Sequence, residues 1–171
     1  MAKLRIETVM NELTKPGYLH VIINHLPIIG LAMGIFAMAI ALFLRSRAAQ
    51  ITALAVVAFA AASGPVVFIT GEKAYKPIRK LTDDAGSDYL DEHMDRAEQT
   101  IGLFYALAIL ALTGQFVPVW WPKTGTPIFT LTLLLAIISL GAAIYVAQPA
   151  GKIRHSEFRI ERTLSTAPAE Q

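Results

Sequence analysis

Apolar residues come in four long blocks, at about 22–44, 51–70, 100–121 and 127–146, divided by polar stretches of very unequal length. Each block is long enough, at 1.5 Å per residue, for a helix to cross a hydrocarbon core of about 30 Å. The pattern predicts an all-α integral membrane four-helix bundle. Its transmembrane domain covers residues 19–149, between an N-terminal amphipathic segment at 1–18 and a polar tail at 150–171. In the first segment Ile6, Val9, Met10 and Leu13 recur at helical spacing opposite charged positions, which suits a short helix lying on the membrane surface and closed by Pro16-Gly17. In the tail, Ile153, Phe158 and Ile160 allow a second brief amphipathic helix before the chain turns polar.

Punctuation refines these elements. Pro27 suits the first turn of span one, which makes Asn24 the expected N-cap and sets His25 at the helix start. Gly30 and Gly34 form a GxxxG face that lets a second helix or a flat cofactor approach closely. Arg45-Ser46-Arg47 closes the span, and Ser63-Gly64-Pro65 should kink the second. Asp83-Asp84-Ala85-Gly86-Ser87 reads as a turn, after which Ser87 or Asp88 caps a helix that passes through His93 into span three. His93, Ala97, Thr100 and Phe104 share one stripe of that helix. Trp120 and Trp121 mark the far interface, and Pro149-Ala150-Gly151 ends span four.

Composition agrees: 54% of the residues are hydrophobic and only 16% charged, too few charges for an ordinary soluble domain. Fifteen Lys and Arg against thirteen Asp and Glu leave no basic face for nucleic acid. The absence of cysteine excludes disulfides, thiolate metal sites and covalent haem attachment, so a metal or haem would have to be held by His, Met or carboxylate. The first block exceeds a signal-peptide core and no small-x-small cleavage pattern follows it before Arg45, so it is expected to be retained. No phosphate loop, nucleophile elbow or His-Glu-x-x-His pattern is present, leaving no hydrolytic or transferase chemistry to assign.

Four antiparallel spans bring all four histidines to one side of the membrane. His25 and His93 stand at the opening turns of two helices and form the leading candidate pair for axial ligation of a b-type haem, with Gly30, Gly34, Ala97, Gly102 and Gly141 to Ala143 as room for the porphyrin. The competing chemistry is a non-haem iron, zinc or manganese site in which His20, His25 and His93 join Glu72 or Glu98. Each carboxylate has a plainer reading, Glu72 as a boundary charge or partner of Lys73 or Lys76, Glu98 as a partner of Arg96. His155, in the basic tail, is a poor ligand candidate. Beyond the lipid bilayer, either chemistry implies redox or membrane-complex subunits as partners. A cofactor-free structural or assembly subunit, docking through the GxxxG face, is the alternative.

His20-x-x-x-x-His25-x-Pro27, Thr70-Gly71-Glu72-x-Ala74 and His93, in that order, resemble a bacterial four-helix membrane family of unknown function whose hallmark is a His-Pro-x-x-Val-His-Phe-Pro opening. The likeness covers about Leu19 to Val146, with Val21 at the proline and Leu26 at the phenylalanine of that opening. It implies His20, His25, Glu72 and His93 as the polar positions of the family. Because such relatives can be joined to c-type cytochrome modules, it also implies a respiratory setting in the bacterial inner membrane and a histidine face outside the cytoplasm. The positive-inside rule points the other way: twelve Lys and Arg lie on the histidine side against Arg45, Arg47 and Lys123 on the other, which favours both termini in the cytoplasm.

Overall fold

The computed structural model describes residues 14–159, so the amphipathic helix expected through Ile6 to Leu13 and the tail from Ile160 onward lie outside the described residues. Helix α1 spans Pro16–Ile23, α2 Leu26–Leu44, α3 Arg47–Arg79, α4 Asp84–Trp120 and α5 Gly125–Arg154. Short 3-10 turns follow α4 at Pro122–Thr124 and α5 at Ser156–Phe158, and no strand occurs among the described residues. With α1 and α2 counted as one span, four helical stretches among the described residues are long and apolar enough to cross a membrane, and the chain is a multi-pass membrane protein. Each long helix packs on the next and α5 closes back on α2, which gives a four-membered ring.

The helices run well past the apolar blocks. Residues 84–99 alone extend α4 by about 24 Å beyond the block that starts at residue 100. Hydropathy marks where lipid begins, whereas these helices end where a cap stops them. The stretch expected as a turn is the first turn of α4: Asp83 is its N-cap, accepting from the Gly86 N–H at 2.8 Å, in place of Ser87 or Asp88. Asn24 likewise does not cap α2. Helix begins at Pro16, Asn24 closes α1, and His25 takes the N-cap position of α2.

Packing inverts the soluble pattern, as lipid requires. The interior is built from small or slim residues such as Ala53, Ala60, Ala61, Ala111 and Ala136, around Leu31, Met38, Leu54, Val57 and Leu107. Bulky residues such as Phe43, Phe59 and Ile109 face outward, into hydrocarbon of equal polarity. The GxxxG face is spent inside the molecule: a Cβ on Gly30 would lie 2.7 Å from Ala60 Cβ, and one on Gly34 2.7 Å from Val57 Cγ2. Gly64 does the same between α3 and α4, where a Cβ would stand 2.7 Å from the Phe104 ring. Helix α3 continues through Pro65, and Ser63 donates to Ala60 O at 2.6 Å. The space reserved for a porphyrin at Gly30 and Gly34 is therefore filled by α3, while a Cβ on Gly102 or Gly141 would enter open space.

These contacts separate two kinds of glycine. Gly34→Leu should lower the stability of the bundle by about 1–3 kcal/mol, the usual range for overpacking, in a detergent unfolding titration. Gly102→Ala should leave the same midpoint nearly unchanged.

Candidate functional site

Two of the histidines meet. His20, on α1, and His93, on α4, meet edge-on with ring centroids 6.4 Å apart and ring planes at 82°. Each is anchored to the backbone of a third or fourth helix. His20 Nδ1 lies 3.0 Å from Val67 O of α3, with Thr70 Oγ1 at 3.4 Å. His93 Nδ1 lies 2.7 Å from Val146 O of α5. A carbonyl only accepts, so in both rings Nδ1 carries the proton and Nε2 of the neutral ring keeps its lone pair. This is the arrangement that orients an imidazole for ligation, with the far nitrogen donating to a fixed acceptor.

Local sequence explains why the rings sit there. A Cβ on Gly71 would stand 2.8 Å from His20 Cε1 and 3.0 Å from Nδ1, so the ring lies flush on α3 only because residue 71 has no side chain. At Gly17 a Cβ would stand 3.8 Å from Ala74 and Ile78, an ordinary contact, so only Gly71 is required to be glycine at this seam. Thr70 turns its hydroxyl onto its own helix, at 3.0 Å from Val66 O and 2.9 Å from Val67 O, and is nearly buried. On the opposite wall, His93 reaches α5 one turn before Pro149.

The other candidate residues lie apart from this pair. His25 is exposed, because five residues of helical rotation from His20 turn it roughly 140° around the axis. Glu72 and Glu98 are exposed. Arg96 pairs with Glu92 at 2.6 Å and not with Glu98, since residues two apart on a helix do not face each other. His155 is exposed and bonded to Glu157 at 2.8 Å. Among the described residues no group of three His, Cys, Asp or Glu is placed to hold an ion.

Polar contacts unforeseen in the sequence secure the membrane face around the pair. The carboxylate of Asp91 accepts from Tyr75 and Arg79, joining α3 to α4. Arg159, 8% exposed, donates to both Asp83 oxygens at 2.9 and 2.7 Å and to the last carbonyls of α5, Lys152 O and Ile153 O, at 2.6 Å each. One guanidinium thus caps α5 and braces the N-cap of α4. An open recess of about 390 Å³ lies along α4, lined by Asp88, Asp91, Glu92, Asp95, Arg96 and Gln99 with Tyr145 of α5.

Two outcomes follow from this geometry. Gly71→Ala should displace the His20 ring from Val67 O, which a changed ¹⁵N shift of the His20 ring would register. The Arg159 guanidinium, helped by the Gly86 N–H, holds the Asp83 carboxyl below its ordinary value. A depressed carboxyl stabilises the fold fully above the unfolded value, near 4, and loses that contribution as pH falls through the folded one. Protease sensitivity at the end of α5 should therefore rise only below about pH 4, and Asp83→Asn should produce it already at neutral pH.

No protein-family model, curated protein or solved structure matches the chain.

Proposed function

We propose that this multi-pass membrane protein binds a redox metal between His20 and His93, in the form of a b-type haem, and passes electrons to partner subunits in a bacterial inner-membrane assembly. The observation that carries the reading is the close pair of rings with both Nδ1–H groups tied to backbone carbonyls, which leaves the Nε2 lone pairs as candidate ligands. The separation suits the chemistry. With their ring centroids 6.4 Å apart, His20 and His93 are close enough that both imidazoles would hold one metal.

The donor set favours haem over a non-haem ion. A porphyrin brings four nitrogens of its own and asks the protein for two axial ligands, while a closed zinc, iron or manganese site needs three or four protein groups. Glu72 and Glu98 stand outside the pair and do not complete such a set. Bound between the rings, the haem would supply one-electron chemistry. The chain's own part is to fix the two imidazoles and to exclude water with the apolar walls of α3 and α4. The resemblance to the His-Pro-x-x-Val-His-Phe-Pro family supports the respiratory setting, with His20 and His93 among its polar positions.

Purified protein, as isolated and after haem reconstitution, should show a sharp Soret band that is lost in His20→Ala and in His93→Ala and kept in His25→Ala. Protein with neither haem nor a stoichiometric metal would end the reading in favour of a cofactor-free structural or assembly subunit. The twelve cations on the histidine side favour a cytoplasmic position for that face. A reporter fused after residue 171 should accordingly be active only if it is one that works in the cytoplasm; periplasmic activity would reverse the orientation.

A further inference from the structure

Prolines lie inside three of the long helices: Pro65 and Pro77 in α3, Pro118 in α4 and Pro149 in α5. Proline has no N–H, so the carbonyl four residues earlier loses its helical partner. In hydrocarbon or at its edge such a carbonyl is costly to leave unmet, and arginines reach two of the four. For Pro118 the freed carbonyl is Gly114, and Arg47 of α3 donates to it at 3.0 Å. For Pro149 it is Tyr145, and Arg96 of α4 donates to it at 2.7 Å. Two arginines thus perform the same task at opposite ends of the bundle.

Only one of these locks touches the histidine pair. Arg96 is three residues after His93, on the same side of α4, and the two side chains bond consecutive carbonyls of one α5 turn, Tyr145 O and Val146 O. Arg96 is itself tightly held. It bonds Gln148 Oε1 at 3.0 Å and Glu92 at 2.6 Å, and its guanidinium lies 4.0 Å from the centre of the Tyr145 ring. A single hydrogen bond would let α4 rotate against α5 and carry the imidazole with it. A second bond to the adjacent carbonyl removes that freedom.

We infer that Arg96 is the positioning residue of His93, acting through the turn of α5 that Pro149 opens, and that this two-point attachment keeps the His93 proton on Nδ1 and the lone pair on Nε2. The inference deepens the proposed ligand role of His93 and takes its functional meaning from it, but the hydrogen-bond pattern it describes exists without a ligand. The Arg47 lock lies about 30 Å along α4 from His93 and serves as the internal control.

The test is ¹⁵N-histidine NMR of the full chain in lipid nanodiscs near pH 8, with the His93 signal assigned by its loss in His93→Gln. The wild-type ring should be a single Nδ1–H tautomer. Arg96→Gln and Pro149→Ala, the latter restoring an N–H to Tyr145 O, should each convert a third or more of the signal to the other tautomer, with Arg96→Lys recovering part of the loss and Arg47→Gln causing none. Circular dichroism confirms that each variant is folded. An unchanged His93 signal in folded Arg96→Gln and Pro149→Ala would overturn the inference, as would an equal change in Arg47→Gln. A tautomer shift in a protein that binds no haem or metal upholds the positioning role and removes the ligand reading; bound haem with an unmoved tautomer does the reverse.

Discussion

A backbone carbonyl that its own helix leaves unpaired has no water to turn to in a bilayer, and the arrangement of this bundle follows from how such groups are met. Arg47 and Arg96 each cross from one helix to the next to reach a carbonyl released by a proline. Arg159 satisfies the end of α5 in the same manner. The two central histidines belong to this scheme, since each spends Nδ1 on a main-chain oxygen of a neighbouring helix. Side-chain to main-chain bonds between helices therefore set the rotation of α1 on α3 and of α4 on α5, and the imidazole pair is the place where the two settings meet.

Close approach supplies the remainder of the cohesion. Lipid offers helices no hydrophobic reward for associating, so surface contact must come from backbones brought near each other by small residues. Gly30 and Gly34 against α3, and Gly64 against Phe104, give three such contacts in succession along the interior. Their use inside the chain takes up the motif most suited to docking a partner helix.

Four spans were legible in the sequence because a long uncharged block has little use outside a bilayer. Helix ends were not, since the apolar block records the membrane and the helix continues until a cap stops it. Asp83-Asp84-Ala85-Gly86-Ser87 shows the difficulty: Asp and Gly serve turns and caps alike, and only Arg159 and Ile153 packed against Gly86 reveal which one forms. The same holds for the histidines. Asn24 and Pro27 look like a helix start, which favours His25, but helix had already begun at Pro16 and turned His20 inward. The acceptors Val67 O, Tyr145 O and Val146 O leave no mark in a sequence, because every residue has a carbonyl and only the level at which two helices pass each other selects one.

The joint at Asn24 and His25 has a mechanical side. Helix α1 is fastened to α3 through His20 and the flush contact of Gly71, and α2 is fastened to the same helix through Gly30 and Gly34. Membranes differ in thickness, and a spanning helix adapts by tilting. Because α1 and α2 both lean on α3 across the break between them, a tilt of the bundle carries His20 along with the carbonyl that holds it.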